Sequence, residues 1–90
     1  MGELRINQDL SRYEMDEAGL TAYADFRQEG ERLFIDYVFA PPALRGTGTA
    51  GRLMQALSVD ARRRGLTITP ICGYAAAWLR RSHEFRDLLA

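Results

Sequence analysis

The sequence predicts an α/β domain of the α+β kind: a mixed, mainly antiparallel sheet with helices on both faces. Three observations carry that expectation. Residues 11–39 hold three runs of alternating polar and apolar residues joined by short turns, the pattern of an antiparallel meander. A glycine-rich turn, Arg45-Gly46-Thr47-Gly48-Thr49-Ala50, then opens an amphipathic helix. A β-branched run beyond that helix completes a crossover, which sets the last strand parallel to the one before it.

Leu4 to Asn7 is too short to assign. Ser11 to Met15 suits a first strand with Tyr13 and Met15 inward, and Asp16-Glu17-Ala18-Gly19 is a turn. Leu20 to Arg27 alternates again, with Ala22, Ala24 and Phe26 on one face. After the turn Gln28-Glu29-Gly30-Glu31, Leu33 to Phe39 makes a third strand. Strict alternation puts Leu33, Ile35, Tyr37 and Phe39 on one side and Phe34, Asp36 and Val38 on the other. Both sides are mostly apolar, so this strand is expected to be central and covered on both.

Pro41-Pro42 ends that strand. From Thr47 the apolar residues Ala50, Leu53, Met54, Leu57 and Ala61 form one helical stripe reaching about Arg64. Arg62-Arg63-Arg64 suits the negative end of the helix dipole, and Gly65 a C′ position. Leu66 to Ile71 is the fourth strand. Gly73 to Arg81 reads as a short helix packing Trp78 and Leu79, and Ser82 can cap a last helix, Glu84 to Leu89, that packs Phe85 and Leu88.

Ninety residues suggest a single domain, 1–90, and 47% apolar with 27% charged residues is ordinary globular composition. No apolar run has membrane-spanning length, no leader pattern stands at the start, and a lone cysteine suits a reducing compartment. The expectation is a cytoplasmic protein without a membrane partner. Net charge is zero but unevenly placed. Residues 1–40 carry nine acids against four arginines, a charge of −5; residues 41–90 carry eight arginines against three acids, a charge of +5. A basic half around the glycine turn favours a polyanion, and an acidic half can draw in a cationic amine. Two opposed halves also neutralise each other within one molecule, or allow weak pairing of two, so a monomer or weak homodimer is expected. Arginines not interleaved with exposed aromatics, at zero net charge, argue against nucleic acid. All twelve basic residues are arginine, which excludes a lysine P-loop, a Schiff base and a lysine general base.

A strand, a glycine turn and a helix start aim free backbone N–H groups and a positive dipole end at one point, the arrangement that binds phosphate. Gly46-x-Gly48-x-x-Gly51 also fits the dinucleotide pattern. That reading needs an acid about 20 residues on, where this chain has Leu66-Thr67-Ile68-Thr69, and more βαβ units than the chain can hold. The pattern that fits better is Arg45-x-x-Gly48-x-Ala50.

With that motif the chain resembles the GCN5-related N-acetyltransferases, and more narrowly their very small subfamily of about ninety residues. The resemblance runs from about Tyr13 to Leu88. It rests on Pro41-Pro42-x-Leu44-Arg45-Gly46-x-Gly48-x-Ala50, on Gly65-Leu66-x-Ile68-x-Pro70-x-Cys72-x-Tyr74, and on Arg81-x-x-Glu84-Phe85-x-Asp87-Leu88. It implies acetyl-CoA as co-substrate, with its diphosphate on the glycine turn and its acyl group where the third and fourth strands splay apart. It also implies that the elements by which larger relatives grip the acceptor are missing. The chain departs from the subfamily in carrying Tyr37-Val38 for a common His-Thr, and Ser82-His83 for His-Pro.

Acetyl transfer needs a neutral amine, polarisation of the thioester carbonyl and a proton for the leaving thiolate. Backbone N–H groups of Val38, Phe39 and Ala40 are placed to polarise. Arg45, Gly46, Thr47, Gly48, Thr49 and Ala50 would hold the diphosphate, with Arg80 and Arg81 either adding charge or forming a solvated helix end. Cys72, ending the fourth strand ahead of a helix, can be an acyl-accepting nucleophile or a small buried residue. Tyr74 can donate a proton to the thiolate or pack in the core, and Asp36 can act as a base or pair with an arginine. His83, in a loop, reads as surface. One histidine and one cysteine give no structural zinc set. The expected activity is N-acetyl transfer from acetyl-CoA to an amine by direct attack; the alternative is a non-catalytic acyl-CoA-binding or regulatory module.

Overall fold

The computed structural model describes residues 3–90. Five strands form one sheet in sequence order: β1 (Leu4–Asn7), β2 (Arg12–Glu17), β3 (Leu20–Glu29), β4 (Arg32–Phe39) and β5 (Thr67–Pro70). The first four pair antiparallel and β5 joins β4 in parallel, as the crossover through helix α1 (Thr49–Arg63) requires. Helix α2 (Gly73–Arg81) and a single 3-10 turn at Arg86–Leu88 complete the chain.

Turn chemistry sets the meander. Glu17 pairs with Leu20, so the β2–β3 loop is the two residues Ala18 and Gly19, both at positive φ (53° and 76°). That is what a two-residue turn matched to strand twist demands. The short run left unassigned in the sequence, Leu4 to Asn7, is strand β1, held on β2 by pairing and by Arg5, whose guanidinium donates to Glu14 (2.9 Å) and Asp16 (2.6 Å).

The strict alternation expected for β4 fails at one residue. Phe26 lies opposite Ile35 but Asp25 lies opposite Tyr37, so Asp36 is an extra residue, a β-bulge. From there the faces exchange. Leu33 and Ile35 are buried, Val38 and Ala40 pack against the same core, and Tyr37 and Phe39 turn to the other side.

Tyr13, Met15, Ala22, Ala24, Leu33, Ile35 and Ile68 share one face of the sheet. Leu53, Met54 and Leu57 of α1 and Ala75 and Leu79 of α2 join them in a single cluster. Leu53, Met54 and Leu57 are fully buried, each worth about 1.5–3 kcal/mol. Where the sequence suggests helices on both faces, the two helices share one cluster. The opposite face is paved with ion pairs, Arg5–Glu14, Arg12–Asp25 and Arg27–Asp36. The expected last helix, Glu84 to Leu89, is shortened to the 3-10 turn. The Ser82 hydroxyl does cap this segment, accepting from the Phe85 N–H at 3.1 Å, and Phe85 and Leu88 are buried.

Candidate functional site

After β4 the chain makes a 3-10 turn at Pro42–Leu44 and enters the glycine loop. Gly46 and Gly48 both hold left-handed φ, 79° and 89°. At Gly48 the need for glycine is twofold, because a Cβ there would also stand 2.8 Å from the Arg52 guanidinium. Gly48 is the N-cap of α1, and the first intrahelical bond runs from the Arg52 N–H to the Gly48 carbonyl at 3.0 Å. The N–H groups of Thr49, Ala50 and Gly51 therefore precede the helix ladder and point outward from its positive end. The helix begins at Thr49, two residues later than the stripe suggested, which leaves Thr47 and Gly48 to the loop.

These groups line a cleft of about 340 Å³, at the lower end of the usual range for ligand sites. It gathers Ala40, Arg45, Gly46, Gly48, Thr49 and Ala50 from the predicted set, with Tyr74 of α2 and the unforeseen Leu44 and Gly51. Arg45 is exposed; its Nε donates to the Ala40 carbonyl at 2.9 Å, and its guanidinium lies 5.7 Å from the centre of the Phe39 ring. Thr47 braces the loop from behind, its hydroxyl bonded to the Leu44 carbonyl and 3.0 Å from the Thr49 hydroxyl.

A network the sequence reading missed holds this loop. The Glu17 carboxylate accepts from the Thr49 hydroxyl (2.6 Å) and twice from Arg52 (2.7 and 2.8 Å). Arg52 also donates to the Thr47 carbonyl at 3.1 Å. Glu17 and Arg52 are 35 positions apart, so no local pattern marks the pair. A separate hollow of about 390 Å³ lies behind it, lined by Asp16, Glu17, Ala18 and Arg52. Its carboxylates already serve Arg5, Thr21, Thr49 and Arg52, so it offers an anion little.

Beside the cleft the sheet opens. β4 pairs with β5 from Arg32–Thr67 to Ile35–Pro70, then runs on to Phe39 with β3 as its one partner. The Ile35 carbonyl accepts from both the Ile71 and the Cys72 N–H, at 2.9 and 3.1 Å, and there the chain leaves the sheet for α2. Alternate main-chain groups along residues 36–39 thus face an edge with no ladder partner. Cys72 stands at this parting, half-buried, as the N-cap of α2. No side chain among the described residues hydrogen-bonds its sulfur.

Tyr74 is 40% exposed, so it is a cleft residue and not part of the core. Burial raises its hydroxyl pKa above the usual value, with the Arg81 charge working against that and Cys72 adding to it. Arg81 is exposed at the last turn of α2 and does not line the cleft, and Arg80 is exposed and makes no ion pair among the described residues. Asp36 is not brought here. As the bulge residue it faces Arg27, which donates to both its oxygens (2.8 and 2.9 Å) and holds its pKa below the usual carboxylate value. Val38 lies against the core and Phe39 on the far face, so only their main chain can serve the cleft. His83 is exposed in the loop after α2.

The described residues contain no helix long and apolar enough to cross a membrane, and no group of three or more His, Cys, Asp or Glu able to hold a metal ion. A sequence model described as GCN5-related N-acetyl-transferase matches residues 12–88. Among curated proteins none matches in sequence. Among solved structures, a GCN5-like candidate N-acetyltransferase from Staphylococcus aureus, determined in solution by NMR, superposes with a TM-score of 0.70. It is 20% identical, and the match covers 98% of this chain and 87% of that one, which establishes a shared fold.

Proposed function

The chain belongs to the GCN5-related N-acetyltransferases, and from that premise we propose that it moves an acetyl group from acetyl-CoA to an amine by direct attack in a ternary complex. One observation carries the reading. A helix N-terminus with left-handed glycines opens beside the point where β4 parts from β5, so an anion cradle and a split sheet edge adjoin.

The residues present fit acetyl-CoA. The N–H groups at the start of α1 would hold the diphosphate, with Arg45 and Arg81 supplying positive charge. The pantetheine arm would run toward the split, where N–H groups of residues 38–40 hydrogen-bond the thioester oxygen and stabilise charge as it grows. The neutral amine attacks the carbonyl carbon, forming the C–N bond and releasing a proton to water. Collapse of the tetrahedral adduct breaks the C–S bond. Tyr74, whose raised pKa keeps its hydroxyl protonated, donates to the departing thiolate and is reprotonated from water. Asp36 has no part, because its oxygens are committed to Arg27. Direct attack is favoured over an acetyl-Cys72 intermediate, since no base adjoins the thiol among the described residues.

The test is thiol release from acetyl-CoA across a panel of amines, with Cys72→Ala alongside. The reading expects amine-dependent release and a Cys72→Ala rate within about threefold of wild type, far below the roughly 10²- to 10⁴-fold effect of a lost proton-transfer group. Binding of acetyl-CoA without transfer to any amine favours the non-catalytic module. A mass gain of one acetyl group that disappears in Cys72→Ala refutes direct attack.

A further inference from the structure

Three rings meet at the free end of β4, on the sheet face turned away from the shared core. Tyr23 stacks on Phe39 with centroids 5.2 Å apart, and Tyr37 lies 6.4 Å from Tyr23 and 6.5 Å from Phe39. The bulge at Asp36 brings them together, since strict alternation would have buried Tyr37 and Phe39. Two of the rings already carry a cation. The Arg12 guanidinium lies 3.8 Å from the centre of Tyr23, and Arg45 lies 5.7 Å from that of Phe39. Among the described residues none covers Tyr37 in this way, and Tyr37 is 49% exposed.

Position narrows what the third ring can receive. Tyr37 and Phe39 belong to the stretch of β4 beyond its pairing with β5, held to β3 on one side and facing the split on the other, and Arg45 links Phe39 to the glycine loop. In the acetyltransferase reading the thioester lies against the main chain of residues 38–40, next along the strand to Tyr37. The group nearest the thioester from this face is the acceptor.

We propose that Tyr37, backed by Tyr23 and Phe39, binds the alkylammonium chain of a lysine on a protein substrate; this rests on the acetyltransferase reading. A ring face attracts an ammonium group, and the methylene stem packs along aromatic surface. The shape of the patch separates a protein lysine from a free alkylamine. It lies on an open sheet face, whereas small-molecule sites enclose most of their ligand. A protein brings its own surface to cover the rings; a free amine does not. For transfer the bound ammonium gives one proton to water, its nitrogen forms the bond to the acetyl carbon, and the thiolate leaves and is protonated.

The test uses the full chain with acetyl-CoA and a capped pentapeptide bearing one central lysine, against butylamine and putrescine. Tyr37→Ala is expected to raise the peptide KM about 2- to 30-fold, the worth of one cation–π contact, with Tyr37→Phe near wild type. Acetyl-CoA affinity stays unchanged in both, and the free amines show a higher KM than the peptide. An unmoved peptide KM in Tyr37→Ala, or a free amine with the lower KM, overturns the proposal. So does an acetyl-CoA-saturated protein whose Tyr37 ring protons do not shift when the peptide is added. Loss of acetyl-CoA binding in the wild type instead sinks the acetyltransferase reading itself.

Discussion

Replacing Gly48 by alanine sets two costs against the loop at once. The residue sits at φ 89°, and a non-glycine residue in such a conformation costs about 1–3 kcal/mol. The new Cβ also stands 2.8 Å from the Arg52 guanidinium, which must move and disturb its bonds to Glu17 and Thr47. For a domain of this size each kcal/mol lowers Tm by about 4–8 °C, so a fall of roughly 5–20 °C is expected by differential scanning calorimetry. Gly65 supplies a matched control. Its φ is 71°, a Cβ there meets nothing within 4 Å, and it lies at the other end of α1. Gly65→Ala carries only the backbone cost, so it should lower Tm by no more than Gly48→Ala does and leave acetyl-CoA affinity alone. Gly48→Ala should weaken that affinity at least about tenfold, or about 1.4 kcal/mol, as the N–H groups of the loop turn away. Equal affinities in the two variants would refute the assignment of the cradle.

Three further outcomes follow. Arg52→Met leaves the Glu17 carboxylate behind the loop without that cation; it should lower stability and weaken acetyl-CoA binding, and adding Glu17→Gln should restore much of the affinity in calorimetric titrations. Tyr74→Phe should lower kcat roughly 10²- to 10⁴-fold with acetyl-CoA affinity unchanged, as loss of a proton donor requires; an unchanged kcat removes Tyr74 from the mechanism. Burial pushes the Tyr13 hydroxyl up to about 12, where it bonds Asp60 and Arg64 at 3.2 Å. Above pH 10 the unfolded chain then loses a proton that the native state keeps. Stability from this group is therefore complete below pH 10 and falls as pH rises toward 12, a slope in urea midpoints that Tyr13→Phe should flatten.

Local chemistry made the loop and α1 legible. Left-handed positions call for glycine, and Leu53, Met54, Leu57 and Ala61 repeat at helical spacing. The basic end of α1 declares itself in the same way, and the turn expected over Asp16 to Gly19 narrows to Ala18 and Gly19, with Asp16 and Glu17 in β2. What stayed hidden depends on partners far along the chain. Strand β1 has four residues, too few for a period, and exists because β2 offers it an edge. The Asp36 bulge breaks the assumption behind any two-residue alternation, and it reversed the expected faces of Tyr37, Val38 and Phe39. The Glu17–Arg52 brace joins a hairpin turn to a helix. Asp36 was an open choice between base and ion pair, and its two bonds to Arg27 come from the neighbouring strand. The last segment carries a good cap in Ser82, yet its few residues gain more from burying Phe85 and Leu88 than from completing a helix.

The most direct measurement is a titration of isotopically labelled protein with acetyl-CoA, followed through its backbone amide resonances. The account predicts saturable shifts largest at Gly46, Gly48, Thr49, Ala50 and Gly51, with a second group at Val38 to Ala40. Saturable shifts confined to other parts of the sheet, or none at millimolar acetyl-CoA, would contradict it.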